Sequence, residues 1–402
     1  ALPILLIQEA SPPLFSLQRL TTPMTSRSSR LGSYFSVLLV LAVLTGCADE
    51  GAQDASHSSP APEQPELQTV AASDGVQLTG LTVTEDKRTF VSFPRWRDIP
   101  YSVAEVTSDG RFVPYPSDAW NGWAAGAGDT TFVAVQSVVA ADGALWVLDP
   151  ASPKMAGVVD SGAKLVKIDL ETDRVERIYR LNSDVAPQGS YMNDVRIDAE
   201  HQYAYVTDSG LGALVAIDLD TGAHRRLLDE HASTNAEDLV LEIGGEPLRF
   251  TDGSAPAIHA DGIALDEEAD SLYYHALTGY HLYRIPTEVL RDPSLEPSDR
   301  RAAVTDLGAT PAPDGMMFGP DERLYMADLE RNAVVYRRPD GAIDTLVQDP
   351  DIRWADTFSF GPSGALYFTD SRLQETEWFE EGADVREMQF PIYRVSASRQ
   401  GE

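Results

Sequence analysis

The sequence predicts an all-β protein, a six-bladed β-propeller whose blades are four-stranded and antiparallel. One observation is a phrase of three short apolar strands separated by turns, which runs from Ala257 to Ile285. A second is that the phrase recurs along the chain, as the strand units of a propeller do. A third is an aromatic residue at one position of every second strand: Phe90, Trp146, Tyr205, Tyr273, Tyr325 and Tyr367. We expect these rings to pack between neighbouring blades.

The six units follow one another with one long interruption. Their first strands, which should line the channel, begin near Val76, Phe132, Met192, Ala257, Asp314 and Asp356. An insertion from Asp229 to about Ala255 separates the third unit from the fourth. The sixth unit lacks a fourth strand because the chain ends at Glu402. We predict that Leu67 to Ala71 supplies this outer strand and closes the ring, which removes an exposed sheet edge.

The N-terminal part of the chain predicts export. Residues 1–23, upstream of Met24, are interpreted as a wrongly assigned start, 24–46 as a lipoprotein signal peptide, 47–68 as a flexible tether and 69–402 as the propeller. An apolar run from Tyr34 to Leu44, too short to span a bilayer comfortably, ends in Leu-Thr-Gly-Cys47, which resembles a bacterial lipobox. The expectation is lipidation at Cys47 and anchoring to the outer membrane or cell surface. The alternative is a plain secretory signal with a Cys by chance, and a periplasmic or secreted protein.

Composition excludes some partners. The 402 residues carry a formal net charge of −32, and a polyanion is a poor partner for nucleic acid, whose phosphates need Lys and Arg. Cys47 is the only cysteine, so no intrachain disulfide can form. We expect a monomer that meets the membrane only through Cys47 and binds a small-molecule ligand.

Acids and amides recur where the channel-lining strands begin. They are Asn193, Asp194, Asp261, Asp314 and Asp356, with Thr357 beside the last. In a propeller these positions converge on one axis, so the carboxylates would repel one another unless a cation or proton compensates them. The alternative is that each Asp-Gly pair is an ordinary turn, with the Asp as cap and the Gly at positive φ.

Histidines near this axis have two interpretations each. His259 lies two residues before Asp261 and, on a regular strand, would point to the same side. It is predicted as a base or ligand-binding donor, with a histidine satisfied within the channel rim as the alternative. His275 and His281 are predicted to be packing residues.

Several phrases resemble the major royal jelly / Yellow protein family in its bacterial branch. They are Val135-Gln-Ser-Val138, Tyr191-Met-Asn-Asp194, Tyr205-Val-Thr-Asp208, Leu272-Tyr-Tyr-His275 and Trp354-Ala-Asp-Thr357. The resemblance covers roughly Leu78 to Val395. It implies a secreted six-bladed propeller with a ligand site in its channel. Insect members of that family include binders of small amines or sterols, and some are linked to dopachrome conversion.

A more distant resemblance is to the gluconolactonase / senescence-marker propellers, which hold a divalent metal, often calcium, in the channel. Pro313-Asp-Gly-Met316 is similar to their metal-binding phrase, which implies Asp314 as a ligand. The same comparison implies Asp261 and Asn193 as further metal ligands, with Ca²⁺ as the ion. The chain departs from that family at Gln136, where the family has a metal-binding Glu.

Two main functions follow, and the sequence does not decide whether the protein is an enzyme. The leading hypothesis is a lipid-anchored, Yellow-like propeller that binds a small molecule through Gln136, Asn193, Asp194, Asp356 and Thr357. The alternative is a calcium-dependent, gluconolactonase-like hydrolase in which Asp261 and His259 are catalytic. A protein-interaction scaffold is a third class, for which the sequence offers nothing specific.

Overall fold

The propeller is built from inner strands that contact one another in a closed circle. The structure, a computed structural model, describes residues 64–124, 128, 130–268 and 270–397. In these ranges the strands form six four-stranded antiparallel sheets, which confirms the predicted fold. The predicted signal peptide, Cys47 and most of the predicted tether lie outside the described residues. Of the helices that the structure describes, none is long and apolar enough to cross a membrane.

The first three blades follow the chain in order, each with its strands in sequence order. Blade 1 consists of β2 Leu81–Val83, β3 Thr89–Ser92, β4 Val103–Val106 and β5 Phe112–Pro114. A short helix, α1 Asp118–Asn121, leads to blade 2, formed by β6 Ser137–Ala141, β7 Ala144–Asp149, β8 Lys164–Asp169 and β9 Arg174–Arg180. Blade 3 consists of β10 Met192–Asp198, β11 Tyr203–Asp208, β12 Ala213–Asp218 and β13 His224–Leu227.

The second half carries the insertions. The predicted insertion before blade 4 contains a small hairpin of β14 Glu242–Ile243 and β15 Glu246–Pro247. Blade 4 consists of β16 Ala260–Asp266, β17 Ser271–Ala276, β18 His281–Pro286 and β19 Thr305–Ala309. Two short helices, α2 Thr287–Arg291 and α3 Pro297–Ala302, precede β19. The sequence pattern did not predict strand β19. Blade 5 consists of β20 Met316–Phe318, β21 Leu324–Asp328, β22 Ala333–Arg337 and β23 Ile343–Gln348.

Blade 6 is completed by the start of the propeller, as predicted. Its own strands are β24 Ala355–Phe360, β25 Ala365–Asp370 and β26 Gln389–Ser396. The outer strand is β1 Gln68–Asp74, which pairs antiparallel with β26. The inner strands β2, β6, β10, β16, β20 and β24 contact each other in that order, and β24 contacts β2. The prediction that the N-terminal strand closes the ring is therefore confirmed.

The recurrent aromatics lie between the blades. Phe90, Tyr205 and Tyr325 are fully buried, and Tyr205 packs with Ile263 and Leu272 of the next blade. Trp146 and Tyr273 are also buried, whereas Tyr367 is partly exposed. Since each ring fills the gap between two twisted sheets, the aromatic period predicts the blade period.

Aspartates that end the second strand tie the preceding loop to the blade. Asp149 accepts the backbone N–H groups of Val133 and Ala134, and Asp208 accepts that of Tyr191. Asp370 accepts the N–H of Trp354 in the same way. The carboxylates satisfy buried backbone donors just before the inner strand, and so they fix the position of the residues that follow.

Candidate ligand-binding site

A ring of six residue pairs surrounds the channel where the inner strands begin. We call these the ring pairs: Thr79-Gly80, Gln136-Ser137, Asn193-Asp194, Asp261-Gly262, Asp314-Gly315 and Asp356-Thr357. In β10, β16 and β24 the register shifts at the pair, between Met192 and Val195, between Ala260 and Ile263, and between Ala355 and Phe358. These shifts are β-bulges, which re-aim side chains within a strand.

The glycines of the ring pairs are needed for close approach between blades, not for turn geometry. Neither Gly262 nor Gly315 has a positive φ. A Cβ on Gly315 would lie 2.1 Å from the carbonyl oxygen of Asp356, and one on Gly262 would lie 2.8 Å from that of Asp314. Within the described residues, no backbone N–H donates to the Asp261 or Asp314 carboxyl. The structure therefore does not support the interpretation of these two Asp-Gly pairs as capped turns.

The first residues of five ring pairs share one pocket. It is lined by Gln136, Asn193, Asp261, Asp314 and Asp356 on its polar side. Its apolar side is formed by Trp96, Met155, Tyr191, Phe250, Ile258, Leu277, Leu373, Trp378 and Phe379. The cavity volume is about 50 Å³. This space holds a few water molecules or an ammonium group, but no aromatic ring.

Three carboxyl groups in the pocket disfavour their charged forms. Burial, and then repulsion from Asp356 and Asp194, raises the pKa of Asp261 well above its ordinary value. Burial, and then repulsion from Asp356 and Asp261, raises the pKa of Asp314 likewise. Burial raises the pKa of Asp356 to about 7. The cause is common to all three, since few dipoles and no basic side chain face them to replace the water they lose.

Side-chain hydrogen bonds reach each of these carboxyls, and those of Asp261 are with Asn193 and Asp314. The Trp354 indole Nε1 donates to Asp314 Oδ2 at 2.5 Å. The Thr357 hydroxyl donates to Asp356 Oδ1 at 3.2 Å, so Thr357 supports Asp356 and does not line the pocket. Asn193 donates through Nδ2 to Ser209 Oγ at 3.2 Å, which leaves its Oδ1 available to the pocket.

Asp194 differs from the other predicted acids because the chain itself compensates it. Arg196 Nη1 lies 2.9 Å from Asp194 Oδ2, and Ser137 Oγ donates to Asp194 Oδ1 at 2.6 Å. Arg196 Nη2 donates to the carbonyl of Met316 at 2.7 Å, and this hydrogen bond joins blade 3 to blade 5. Asp194 is therefore in the ring but outside the pocket lining, and its predicted role in ligand binding remains untested.

His259 lies near the site but faces elsewhere. Its Nδ1 accepts the backbone N–H of Ala236 at 3.0 Å, in the insertion, and burial lowers its pKa. It does not line the pocket, whereas Asp261 does. The bulge that begins at Ala260 interrupts the alternation from which a shared side was expected. His275 is fully buried and hydrogen-bonded to Thr310, as a packing residue should be.

Three loops form an aromatic lid over the pocket. Phe250 of the insertion stacks on Phe379 with ring centroids 4.9 Å apart, and the Thr251 N–H donates to the carbonyl of Trp378 at 2.9 Å. Trp378 also packs against Trp96 of blade 1 at 5.3 Å. We call Trp96, Phe250, Trp378 and Phe379 the lid. In the sequence, only the long loops themselves indicated such a lid, since long loops often shape the mouth of a propeller.

A second cavity lies beside the lid and contains none of the predicted site residues. Its volume is about 520 Å³, and it lies between Val76, Ile99 and Val385. Arg97 on its wall is already paired with Glu377 at 2.6 Å. Because its charged groups are paired or exposed, the smaller channel pocket remains the better candidate site.

The oxygen atoms in the channel are of the kind that binds a hard cation, but too few of them are free to do so. The Asp261 and Asp314 carboxylates and the Asn193 oxygen are ligands that Ca²⁺ prefers. Gln136 Oε1, however, already accepts the Tyr191 hydroxyl at 2.8 Å. No group of three or more acidic, histidine or cysteine side chains is arranged to hold a metal ion in the part of the chain that the structure describes.

Comparison with known proteins agrees with this architecture. The sequence profile of the family described as major royal jelly protein matches residues 133–400. No curated protein matches the chain by sequence. Similar solved structures are a gluconolactonase from Xanthomonas campestris, a calcium-binding regucalcin from Agrobacterium tumefaciens and a luciferin-regenerating enzyme, each with a TM-score of 0.50 and 13% identity.

These likenesses extend over nearly the whole propeller. The matches cover 83%, 84% and 83% of this chain and 89%, 96% and 95% of the three structures, respectively. At such low sequence identity, the similarity shows the fold alone.

Proposed function

The chain belongs to the major royal jelly protein family. Buried acidic side chains line a pocket in its channel beneath an aromatic lid, and we propose that this pocket binds a small organic cation. The observation that carries the proposal is that Asp261, Asp314 and Asp356 share one pocket without a basic side chain. Dissociation of these carboxyls costs free energy in the empty pocket, and a cationic ligand would offset that cost.

The walls of the pocket favour an organic cation over a simple ion. Indole and phenol rings attract a cation over their faces, by about 0.5–2 kcal/mol for each well-placed contact. Trp96, Tyr191 and Trp378 supply such rings on one side, and the three carboxyls supply the charge on the other. This combination suits an ammonium group attached to an apolar or aromatic body.

The size of the pocket adds a condition to the proposal. About 50 Å³ accommodates the ammonium group, but the body of the ligand needs the space that the lid fills. The stacked pair Phe250–Phe379 joins two loops that belong to different parts of the chain. Binding therefore requires these rings to separate, and the ligand would replace their contact with its own.

Calorimetric titration of the full chain with tyramine tests the proposal, with tyrosol as the matched neutral compound. The two share the phenol ring and differ in the ammonium or hydroxyl group. We expect tyramine to bind and tyrosol to bind at least tenfold more weakly, because a charge-assisted hydrogen bond contributes about 1.5–3 kcal/mol. Asp356→Asn should abolish this preference, whereas Glu381→Gln, at an exposed position, should not. Equal affinity for the two compounds would contradict the proposal.

Catalysis on a bound ligand, including dopachrome-like conversion, is a finer proposal. Such a reaction needs a group that moves a proton, and Asp261 faces the pocket with a raised pKa. His259, the other candidate base, is held by the insertion. We expect any turnover of dopachrome, followed by loss of its visible absorbance, to disappear in Asp261→Asn and to persist in His259→Gln.

A calcium-dependent hydrolase is the second candidate, favoured by the position of Asn193 and Asp314 on either side of Asp261. These three residues would hold the ion, and a bound calcium would polarise a substrate carbonyl. The test is hydrolysis of glucono-δ-lactone with calcium and with chelator. Activity that is lost in chelator and in Asp314→Ala would support this candidate, and activity unchanged by Asp314→Ala would exclude it.

Export and lipid anchoring are proposed from the sequence alone. The motif Leu44-Thr-Gly-Cys47 and the apolar run before it support processing at Cys47. Metabolic labelling with an alkyne fatty acid in a bacterial host checks this. We expect label and membrane association in the wild type and neither in Cys47→Ser.

A further inference from the structure

Three side chains form a chain of hydrogen bonds from the lid to the ring pairs. Trp96 Nε1 lies 2.6 Å from the Tyr191 hydroxyl, and that hydroxyl lies 2.8 Å from Gln136 Oε1. Tyr191 is 5% exposed and Gln136 is 6% exposed. The chain therefore joins blade 1, blade 3 and blade 2 inside the molecule, next to the pocket.

The direction of this chain is fixed by the chemistry of its first member. An indole N–H can only donate, so Trp96 donates to the Tyr191 oxygen. Burial raises the pKa of Tyr191, so the hydroxyl keeps its proton. That proton has one acceptor within the described residues, the side-chain oxygen of Gln136. The amide of Gln136 is thus oriented by Tyr191 and Trp96, with its oxygen turned toward Tyr191.

The opposite end of the amide faces the ligand. Gln136 lines the pocket, and its Nε2 has no hydrogen-bond partner within residues 64–397 as far as the structure describes them. A ligand that fills the pocket without offering an acceptor would take water away from this amide and leave it unpaired, which costs about 1–3 kcal/mol. A ligand that offers an acceptor oxygen at this corner would satisfy it.

We propose that Gln136 is a specificity-determining residue, which selects cationic ligands that also carry a hydroxyl or carbonyl oxygen beside the ammonium-bearing part. This inference rests on the proposed function, because it concerns the same pocket. Tyr191 and Trp96 are positioning residues that act through Gln136. The N–H hydrogens at this corner also disfavour a metal ion there, because they would face it with the positive end of the amide dipole.

The size of the selectivity follows from the cost of the unpaired amide. Since a tenfold change in affinity corresponds to about 1.4 kcal/mol, a penalty of about 1–3 kcal/mol predicts a preference of roughly fivefold to hundredfold. Sites built to hydrogen-bond a ligand group reject the analogue without it for this reason.

The test compares 2-phenylethylamine with three analogues that add one hydroxyl group at different places: 2-amino-1-phenylethanol, 3-hydroxyphenylethylamine and tyramine. Affinities are measured by calorimetry on the full chain. We expect at least one hydroxylated amine to bind fivefold or more tightly than 2-phenylethylamine. Gln136→Met, which keeps the length but removes the donor, should lose this preference, so that no hydroxylated amine binds fivefold more tightly than 2-phenylethylamine.

Tyr191→Phe gives an independent measure of positioning. It leaves Gln136 in place but removes the hydroxyl that orients the amide, so the preference should fall while thermal unfolding shows a folded protein. A merely structural role for Tyr191 would weaken all four amines by the same factor. This variant also provides the test if Gln136→Met does not fold.

The outcomes separate this inference from the function on which it rests. If no amine binds, the proposed function fails and this inference fails with it. If amines bind but none of the hydroxylated compounds is preferred, or if the preference survives in Gln136→Met, this inference alone is overturned.

Discussion

Two sets of buried carboxylates differ in what surrounds them. Asp149 in blade 2 is fully buried, and so is Lys164, whose Nζ lies 2.7 Å from Asp149 Oδ2. The same ammonium donates to the carbonyls of Gly128 and Gly162, so all three of its protons are used. Asp261 and Asp356 in the channel are nearly as buried, but no cationic side chain among the described residues lies beside them.

The difference shows what each set is for. The chain provides Asp149 with a counter-ion and with backbone donors, and the result is a closed structural unit at the base of a loop. Asp194 is an intermediate case, compensated by Arg196 within the ring itself. The three pocket acids are left to a proton or to a ligand. The buried acids that have no basic partner in the described residues therefore lie together in one pocket, and we locate the binding site there.

The largest expected effect comes from removing the counter-ion of Asp149. Lys164→Met should lower the free energy of unfolding by about 3–5 kcal/mol, because it leaves a buried charge unpaired. Urea unfolding followed by tryptophan fluorescence measures this. Lys167→Met is the matched control, since Lys167 pairs with the largely exposed Glu176 and should change stability by about 1 kcal/mol or less. A loss below about 1 kcal/mol in Lys164→Met would remove the contrast between the two sets.

The contribution of the pocket acids to stability should depend on pH in the opposite sense from that of carboxyls whose pKa is lowered in the folded protein. With a pKa of about 7 in the folded protein against 3.8 in the unfolded chain, Asp356 stabilises the fold in its protonated form. That contribution is present at low pH and is lost as pH rises from about 4 to about 7, by about 1.4 kcal/mol for each pH unit.

Asp356→Asn isolates this contribution. The variant lacks the penalty for ionisation, so its stability relative to wild type should increase from pH 5 to pH 7 by as much as about 3 kcal/mol. Thermal unfolding across this range, with Glu381→Gln as the exposed control, measures the difference. A constant difference between Asp356→Asn and wild type would mean that the acid is already compensated.

The strands and the ring acids could be predicted from the sequence because both depend on local pattern. A period of two residues, one aromatic in each second strand and an acid at the inner-strand start of four consecutive blades were sufficient to predict the blades and to group Asp261, Asp314 and Asp356. The closing strand β1 followed from counting, since the last blade had only three strands before the end of the sequence. These features recur from blade to blade, so a single chain contains several copies of the same sequence pattern.

The rest of the site depends on contacts between distant parts of the chain. Trp96 meets Trp378 and Tyr191 only because the ring brings blades 1, 3 and 6 together. Arg196, which pairs with Asp194, also reaches the Met316 carbonyl because blades 3 and 5 approach each other at the channel. A bulge after Ala260 separates the side chains of His259 and Asp261. Local pattern cannot give the position of a bulge, because the inserted residue belongs to no period.

Arg196→Met should move Asp194 from the compensated set to the uncompensated one. Asp194 keeps the hydroxyl of Ser137 and the N–H of Val195, so the loss should be smaller than for Lys164, about 1–3 kcal/mol. The double variant Asp194→Asn/Arg196→Met should recover part of this loss, which chemical unfolding would show. No recovery would indicate that Arg196 acts through the Met316 carbonyl rather than through the charge of Asp194.

Thr207→Val is expected to have the smallest effect, and it tests whether the bulges hold the acids in place. The Thr207 hydroxyl donates to the carbonyl of Asp261 at 2.8 Å and accepts the N–H of Asp194 at 3.2 Å, so it joins two ring pairs. Valine keeps the shape and should cost about 1 kcal/mol of stability. If the hydroxyl fixes the spacing of the acids, calorimetry should show that tyramine binds more weakly to the folded variant than to the wild type. If affinity is unchanged, the acids are positioned by their own strands alone.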